Sequence, residues 1–85
     1  MINPRVQKVV PTNDFHLIIT FTNGEEKVFD MKPYLDKGVF TALQDVALFT
    51  TAHTAWGTVV WNEDIDMSPD TLYLYSKVQV LNAQG

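Results

Sequence analysis

The sequence predicts a small α+β domain: a small antiparallel sheet, made from hairpins over residues 15–31 and 57–67, with short helices packed on one side. Three observations predict it. Phe15, Leu17, Ile19 and Phe21 alternate along residues 15–22, the period-2 pattern of a half-buried strand. Asn23-Gly24 follows at once, and that dipeptide favours a two-residue hairpin because both central residues of a type I′ turn need positive φ. Ser68-Pro69-Asp70 supplies an N-cap, a proline for the first helical position and an acid for the first turn, which together start a short helix.

Taken in order, residues 5–10 set Val6, Val9 and Val10 among polar neighbours and stop at Pro11, which suits a short edge strand because proline cannot donate to a ladder. The strand over 15–22 comes next, and residues 25–29 return antiparallel. A two-residue turn sets Ile19 opposite Val28 and Ile18 opposite Phe29, whereas a bulged loop shifts the register by one; the tight turn is the expectation. Asp30 precedes a capped helical turn over 31–38 that ends at Gly38. Phe40, Leu43, Val46 or Ala47, and Phe49 then recur near helical spacing, with Asp45 placed to restart a helix, so one broken helix or two short ones are expected. Gly57 opens Thr58-Val59-Val60-Trp61, a β-branched and aromatic run suited to a buried strand. Asn62-Glu63-Asp64 is the turn after it, and Ile65-Asp66-Met67 the strand that pairs back. A short helix over 71–75 follows, and the tail beyond Lys77 adds a final strand or frays.

Eighty-five residues allow one core, so a single domain over 1–85 is expected. A chain this short buries only about 60–65% of its unfolded surface, which leaves few core residues free for chemistry. Hydrophobic residues make up 46% of the chain, enough for folding without a metal or a partner. The absence of cysteine removes disulfides, thiolate nucleophiles and sulfur-ligated zinc, and fits a reducing compartment. Met1-Ile2-Asn3-Pro4-Arg5 lacks the basic stretch and apolar run of a secretion signal, and no segment is long enough to cross a bilayer; a bacterial cytoplasmic location is the expectation. Six Lys/Arg against ten Asp/Glu give a net charge of −4, which disfavours direct binding to nucleic acid or anionic lipid.

The order of landmarks, Asn23-Gly24, Phe29-Asp30-Met31-Lys32-Pro33-Tyr34-Leu35, Gly38-Val39-Phe40, Gly57-Thr58-Val59-Val60-Trp61, Asp64-Ile65-Asp66 and Leu72-Tyr73, resembles the bacterial domain-of-unknown-function family 2442 over roughly residues 3 to 78. The resemblance implies a small α+β domain, sometimes joined to a helix-turn-helix segment and sometimes encoded beside a small partner in a toxin–antitoxin-like pair. It carries over no catalytic residues. With the chain ending at Gly85 there is no room for the helix-turn-helix, so the DNA-binding version is not the expectation here.

Four acids fall within eight residues, Glu63, Asp64, Asp66 and Asp70, and the stretch invites a cation. Counted from Asp64, however, the sixth position of a calcium loop is Pro69 where glycine is needed, and the twelfth is Tyr75 where a bidentate glutamate is needed. No metal site and no cofactor are expected. His16 and His53 have no companion motif, no serine or threonine sits in a nucleophile elbow, and the glycines are too dispersed to cradle phosphate, so a non-enzyme is expected. Trp61 belongs to the core. Trp56, before a glycine at the mouth of a strand, and Tyr73, opposite Leu72 on its helix, are candidates for exposure.

These readings converge on a non-catalytic protein-interaction module, the antitoxin-like partner of a small basic protein. Its candidate partner-binding residues are Trp56, Glu63, Asp64, Asp66, Asp70 and Tyr73. Two alternatives come from other classes: a transcription-associated dimerisation or ligand-sensing domain, and a small metal-assisted enzyme. The exposed edge strand is compatible with a two-fold homodimer.

Overall fold

The computed structural model describes residues 3–78. Two antiparallel sheets carry the fold. Strands β1 (Val6–Pro11), β2 (His16–Phe21), β3 (Glu26–Asp30) and β7 (Lys77–Val78) form one in the order β1-β2-β3-β7. Strands β4 (His53–Ala55), β5 (Thr58–Asn62) and β6 (Ile65–Met67) form the other in chain order. Between them run a 3₁₀ turn at Lys32–Tyr34, a longer 3₁₀ segment at Gly38–Gln44 and helix α1 (Val46–Phe49); helix α2 (Pro69–Tyr75) precedes β7.

The α+β class is as expected, and period-2 alternation explains the core. Leu17, Ile19 and Phe21 are fully buried on one face of β2, with Phe29 beside them on β3. Val59, Trp61, Ile65 and Met67 turn inward from the second sheet, and Leu43, Phe49 and Leu72 close the same cluster from the helical segments. Trp61 is held there by its indole N–H, which donates to the Phe49 carbonyl at 2.9 Å. One extra residue on β5, between Val60 and Asn62, bulges that strand so that Trp61 and Ile65 both reach the interior.

The hairpin register differs from the expected one. Ile19 faces Lys27 and Ile18 faces Val28, because the loop holds three residues, Thr22, Asn23 and Gly24. Gly24 N–H donates to the Phe21 carbonyl and Phe21 N–H to Glu25, and of the three loop residues only Gly24 has positive φ. The cause is Phe29. In the observed register it lies opposite Leu17 and is buried; the tight-turn register would pair it with Ile18 and turn it to the outer face. Burying a phenylalanine is worth about 1.5–3 kcal/mol, more than the choice between two turn types.

Three further expectations are refined. The stretch over 31–38 forms only the 3₁₀ turn at Lys32–Tyr34, with Asp30 accepting from the Lys32 N–H at 3.0 Å. Its tighter period accompanies the stacking of Tyr34 on Phe29 at 5.4 Å. Gly38, expected to end a helix, instead opens Gly38–Gln44. Of the two arrangements foreseen for residues 40–49, two separate pieces form: Asp45 caps α1, its carboxylate accepting from the Ala47 N–H at 3.0 Å. The Ser68 cap and Pro69 start α2 as expected. Of the tail, Lys77 and Val78 pair with β3, and the rest lies outside the described residues.

Candidate functional site

Strand β4 was not anticipated; residues 53–55 read as a link between helix and strand. It pairs with β5 as His53↔Val60, Thr54↔Val59 and Ala55↔Thr58, so Trp56 and Gly57 alone make the turn. Both have positive φ, 52° and 78°, the conformation of a type I′ hairpin. Asparagine or glycine is the usual first residue of such a turn, because a Cβ in the left-handed region costs roughly 1–2 kcal/mol. Here the position holds tryptophan, 86% exposed. Exposing so large an apolar surface adds nothing to folding. Trp56 is thus unfavourable on two counts for the isolated domain.

The backbone around it is braced. Arg5 donates from Nη2 to the Trp56 carbonyl at 2.6 Å, and its guanidinium covers Gly57 so closely that a Cβ there would collide with it. The next residue, Val6, donates its N–H to the Gly57 carbonyl at 2.9 Å. Arg5 is also tied to the first hairpin: its N–H reaches the Thr22 hydroxyl at 3.1 Å and its carbonyl accepts from the Thr22 N–H at 2.8 Å. One residue therefore links both turns and fixes the base on which Trp56 stands.

Antiparallel register places His53, Val60 and Asp66 in a row across the outer face of the second sheet, since His53 and Asp66 both oppose Val60. A groove of about 450 Å³ opens over that row, with Ala55 and Trp56 at one side and Glu63 at the other. Ala55, Trp56 and Val60 give it apolar surface, Glu63 and Asp66 two carboxylates, and His53 and Asn62 complete the lining; among the described residues no lysine or arginine lines it. His53 is exposed, with Nδ1 3.0 Å from the Thr51 carbonyl.

Of the six candidate partner-binding residues, Trp56, Glu63 and Asp66 meet at this groove. Asp64 sits beside it in the β5–β6 turn, where the Asn62 side chain accepts from its N–H at 2.8 Å. Asp70 lies in the first turn of α2, where it accepts from Asn3 at 3.3 Å. Tyr73 is half-buried and serves the fold: its ring packs edge-on to Phe21 at 5.0 Å, Lys27 Nζ lies 3.8 Å over its face, and its hydroxyl donates to Glu25. That bond, with a second from Asn23, holds the Glu25 carboxyl below the usual range, and the adjacent carboxylate raises the Tyr73 phenol. Sequence reading missed His53, Val60 and Arg5. The available signal was a pair of residues ending in glycine between two strand-like runs, hidden because tryptophan stands where asparagine is the familiar marker.

A second hollow lies over the outer face of β2 and β3, lined by His16, Val28, Asp30, Tyr75 and Lys77. His16 sits between two carboxylates, 3.1 Å from Asp14 and 3.8 Å from Asp30, both at least half exposed. Among the described residues no three His, Asp or Glu side chains converge to hold a metal, and no helix is long and apolar enough to cross a membrane.

Fold and groove together define a small α+β domain of two antiparallel sheets, with an aromatic and acidic recess on the outer face of the smaller one. The chain belongs to the family described as "Protein of unknown function (DUF2442)", whose family model matches residues 6–78. No curated protein and no solved structure shows significant similarity to it.

Proposed function

We propose that this chain is a small non-catalytic protein-interaction module that docks a basic protein in the groove between Trp56, Glu63 and Asp66. The observation that carries the reading is Trp56, an exposed tryptophan held in a left-handed conformation and braced from behind by Arg5. Local backbone strain concentrates at binding and catalytic sites, and tryptophan leads the residues that dominate protein interfaces. The net charge of −4 supports a cationic partner by steering its approach. A non-catalytic role is supported by the surroundings of the histidines, since His53 is exposed where it lines the groove and His16 lies between two solvent-exposed carboxylates.

The partner we favour is a small basic protein encoded beside this one, with this chain as its antitoxin-like neutraliser in a bacterial cytoplasm. Support comes from the family resemblance, the acidic balance and the absence of cysteine. Co-expression with the product of the neighbouring gene tests the reading, with the complex isolated by size exclusion and its affinity measured. Trp56→Ala should weaken the complex about thirtyfold or more, the scale of an interface hot spot. A chain that forms no complex, or binds equally well without the indole, would sink the proposal.

A further inference from the structure

Resting on that docking reading, we infer that the groove reads a single arginine of the partner, stacking its guanidinium on the Trp56 indole and neutralising it with Glu63 and Asp66. The first ground is charge complementarity. Two carboxylates line the recess beside His53 and the uncharged Asn62, and among the described residues no lysine or arginine lines it. The Arg5 guanidinium lies behind the turn at the Trp56 carbonyl, so a cation entering the recess is drawn to Glu63 and Asp66. The second is the apolar surface that Ala55 and Val60 contribute to the lining, which suits the methylene stem of a long basic side chain. The third is the indole, since tryptophan is the best aromatic face for a cation and 86% of it is free.

The chemistry of the guanidinium favours arginine over lysine. Glu63 lies in the turn after β5, whereas Asp66 lies on β6 opposite Val60, so the two carboxylates approach from different backbone positions. A planar guanidinium with five donors can lie flat on a ring while its edge serves two carboxylates; an ammonium is a point charge with no plane to stack. The groove, at about 450 Å³, falls within the roughly 300–1,000 Å³ typical of ligand pockets.

The test titrates the peptide acetyl-Gly-Arg-Gly-amide into the intact chain while the two indole N–H resonances are followed by NMR. Trp61 is the internal control, because its N–H is buried against the Phe49 carbonyl. The arginine peptide should shift the Trp56 signal saturably and leave Trp61 in place. Its citrulline isostere, which keeps the shape and loses the charge, should bind about tenfold more weakly, as should the lysine peptide. The doubly substituted chain Glu63→Gln, Asp66→Asn should lose about tenfold for the arginine peptide. Absence of a saturable shift, equal binding by citrulline or lysine, or indifference to the double substitution would each overturn the inference. The neighbour-protein complex separates the two proposals. Loss with Trp56→Ala but not with the double substitution leaves the docking reading standing and removes the arginine; indifference to Trp56→Ala removes the docking reading itself.

Discussion

At the β2–β3 hairpin the chain turns on Thr22, Asn23 and Gly24, with positive φ at the glycine alone; at the β4–β5 hairpin it turns on Trp56 and Gly57, with positive φ at both. The asparagine that could occupy the left-handed region at little cost does not, and a tryptophan that cannot does. In the first hairpin the loop length follows from what the strands must bury, so local preference yields to the position of Phe29. In the second, packing does not explain the residue, because Trp56 touches little. Where core demands override a turn preference the gain is visible in burial. At Trp56 the Arg5 guanidinium holds the strained backbone while the exposed indole gains little from packing, and the proposed docking would give the residue its reason.

The largest effect that sharpens this comparison lies at the first hairpin. Phe29→Ala should destabilise the domain by about 3–5 kcal/mol, and Val28→Ala by about 1 kcal/mol or less, both read from urea unfolding. The tight-turn register would reverse the ranking, since it turns Val28 inward and Phe29 outward. Equal losses at the two positions would contradict the register described here.

Next in size are the two turn glycines. Gly57→Ala should cost about 2 kcal/mol, combining left-handed strain with displacement of the Arg5 guanidinium. Gly24→Ala should cost about 1 kcal/mol, because nothing lies within 4 Å of the added methyl and only its φ of +92° is at issue. A larger loss at Gly24 than at Gly57 would mean that Arg5 does not brace the second turn.

Trp56 reverses the sign. Trp56→Asn should raise stability by about 1 kcal/mol, because asparagine tolerates the left-handed region and an indole that is 86% exposed leaves little packing to lose. The same substitution should abolish docking, a trade of activity for stability characteristic of functional sites. A destabilised Trp56→Asn chain would show that the indole is held for the fold and not for a partner.

Much of this arrangement is legible in the sequence because it depends on local signals. The alternation through β2, the Asp45 and Ser68 caps, and the Val59-Val60-Trp61 run each act within a few residues, and each lies where expected except at Phe15, which has a φ of 68° and precedes the strand at His16–Phe21. The register of the first hairpin depends on Phe29 meeting Leu17 across two strands, which turn chemistry cannot report. Strand β4 of the second sheet is not legible because its three residues are too few for a period of their own. Of the candidate site, Trp56, Glu63 and Asp66 are brought together at the groove, while Tyr73 belongs to a packed network on the other sheet. Arg5 could not be read at all. Its contact with Trp56 spans 51 residues of sequence, and no pattern in a single chain announces it.

The smallest predicted effect separates the two turns by pH. Glu25, directly after the first turn, accepts from the Tyr73 hydroxyl and from Asn23, and these bonds favour its ionised form in the folded state. The unfolded chain therefore binds the Glu25 proton more readily than the folded one. Its contribution is fully present above the ordinary glutamate pKa, about 4.3, and is lost as the pH falls through the lower folded value. Asp14, bonded to the Thr12 hydroxyl and to His16, acts in the same direction. Glu25→Gln keeps an acceptor for Tyr73 but no titrating group, so its melting temperature should fall less steeply than that of the unaltered chain between pH 5 and 2, with the two curves converging at the acid end. Glu63→Gln, beside the second turn, serves as the control for overall charge, because it removes one carboxylate and leaves the Glu25–Tyr73 bond in place. Equal flattening by both substitutions would mean that acid sensitivity comes from overall charge and not from the Glu25–Tyr73 bond.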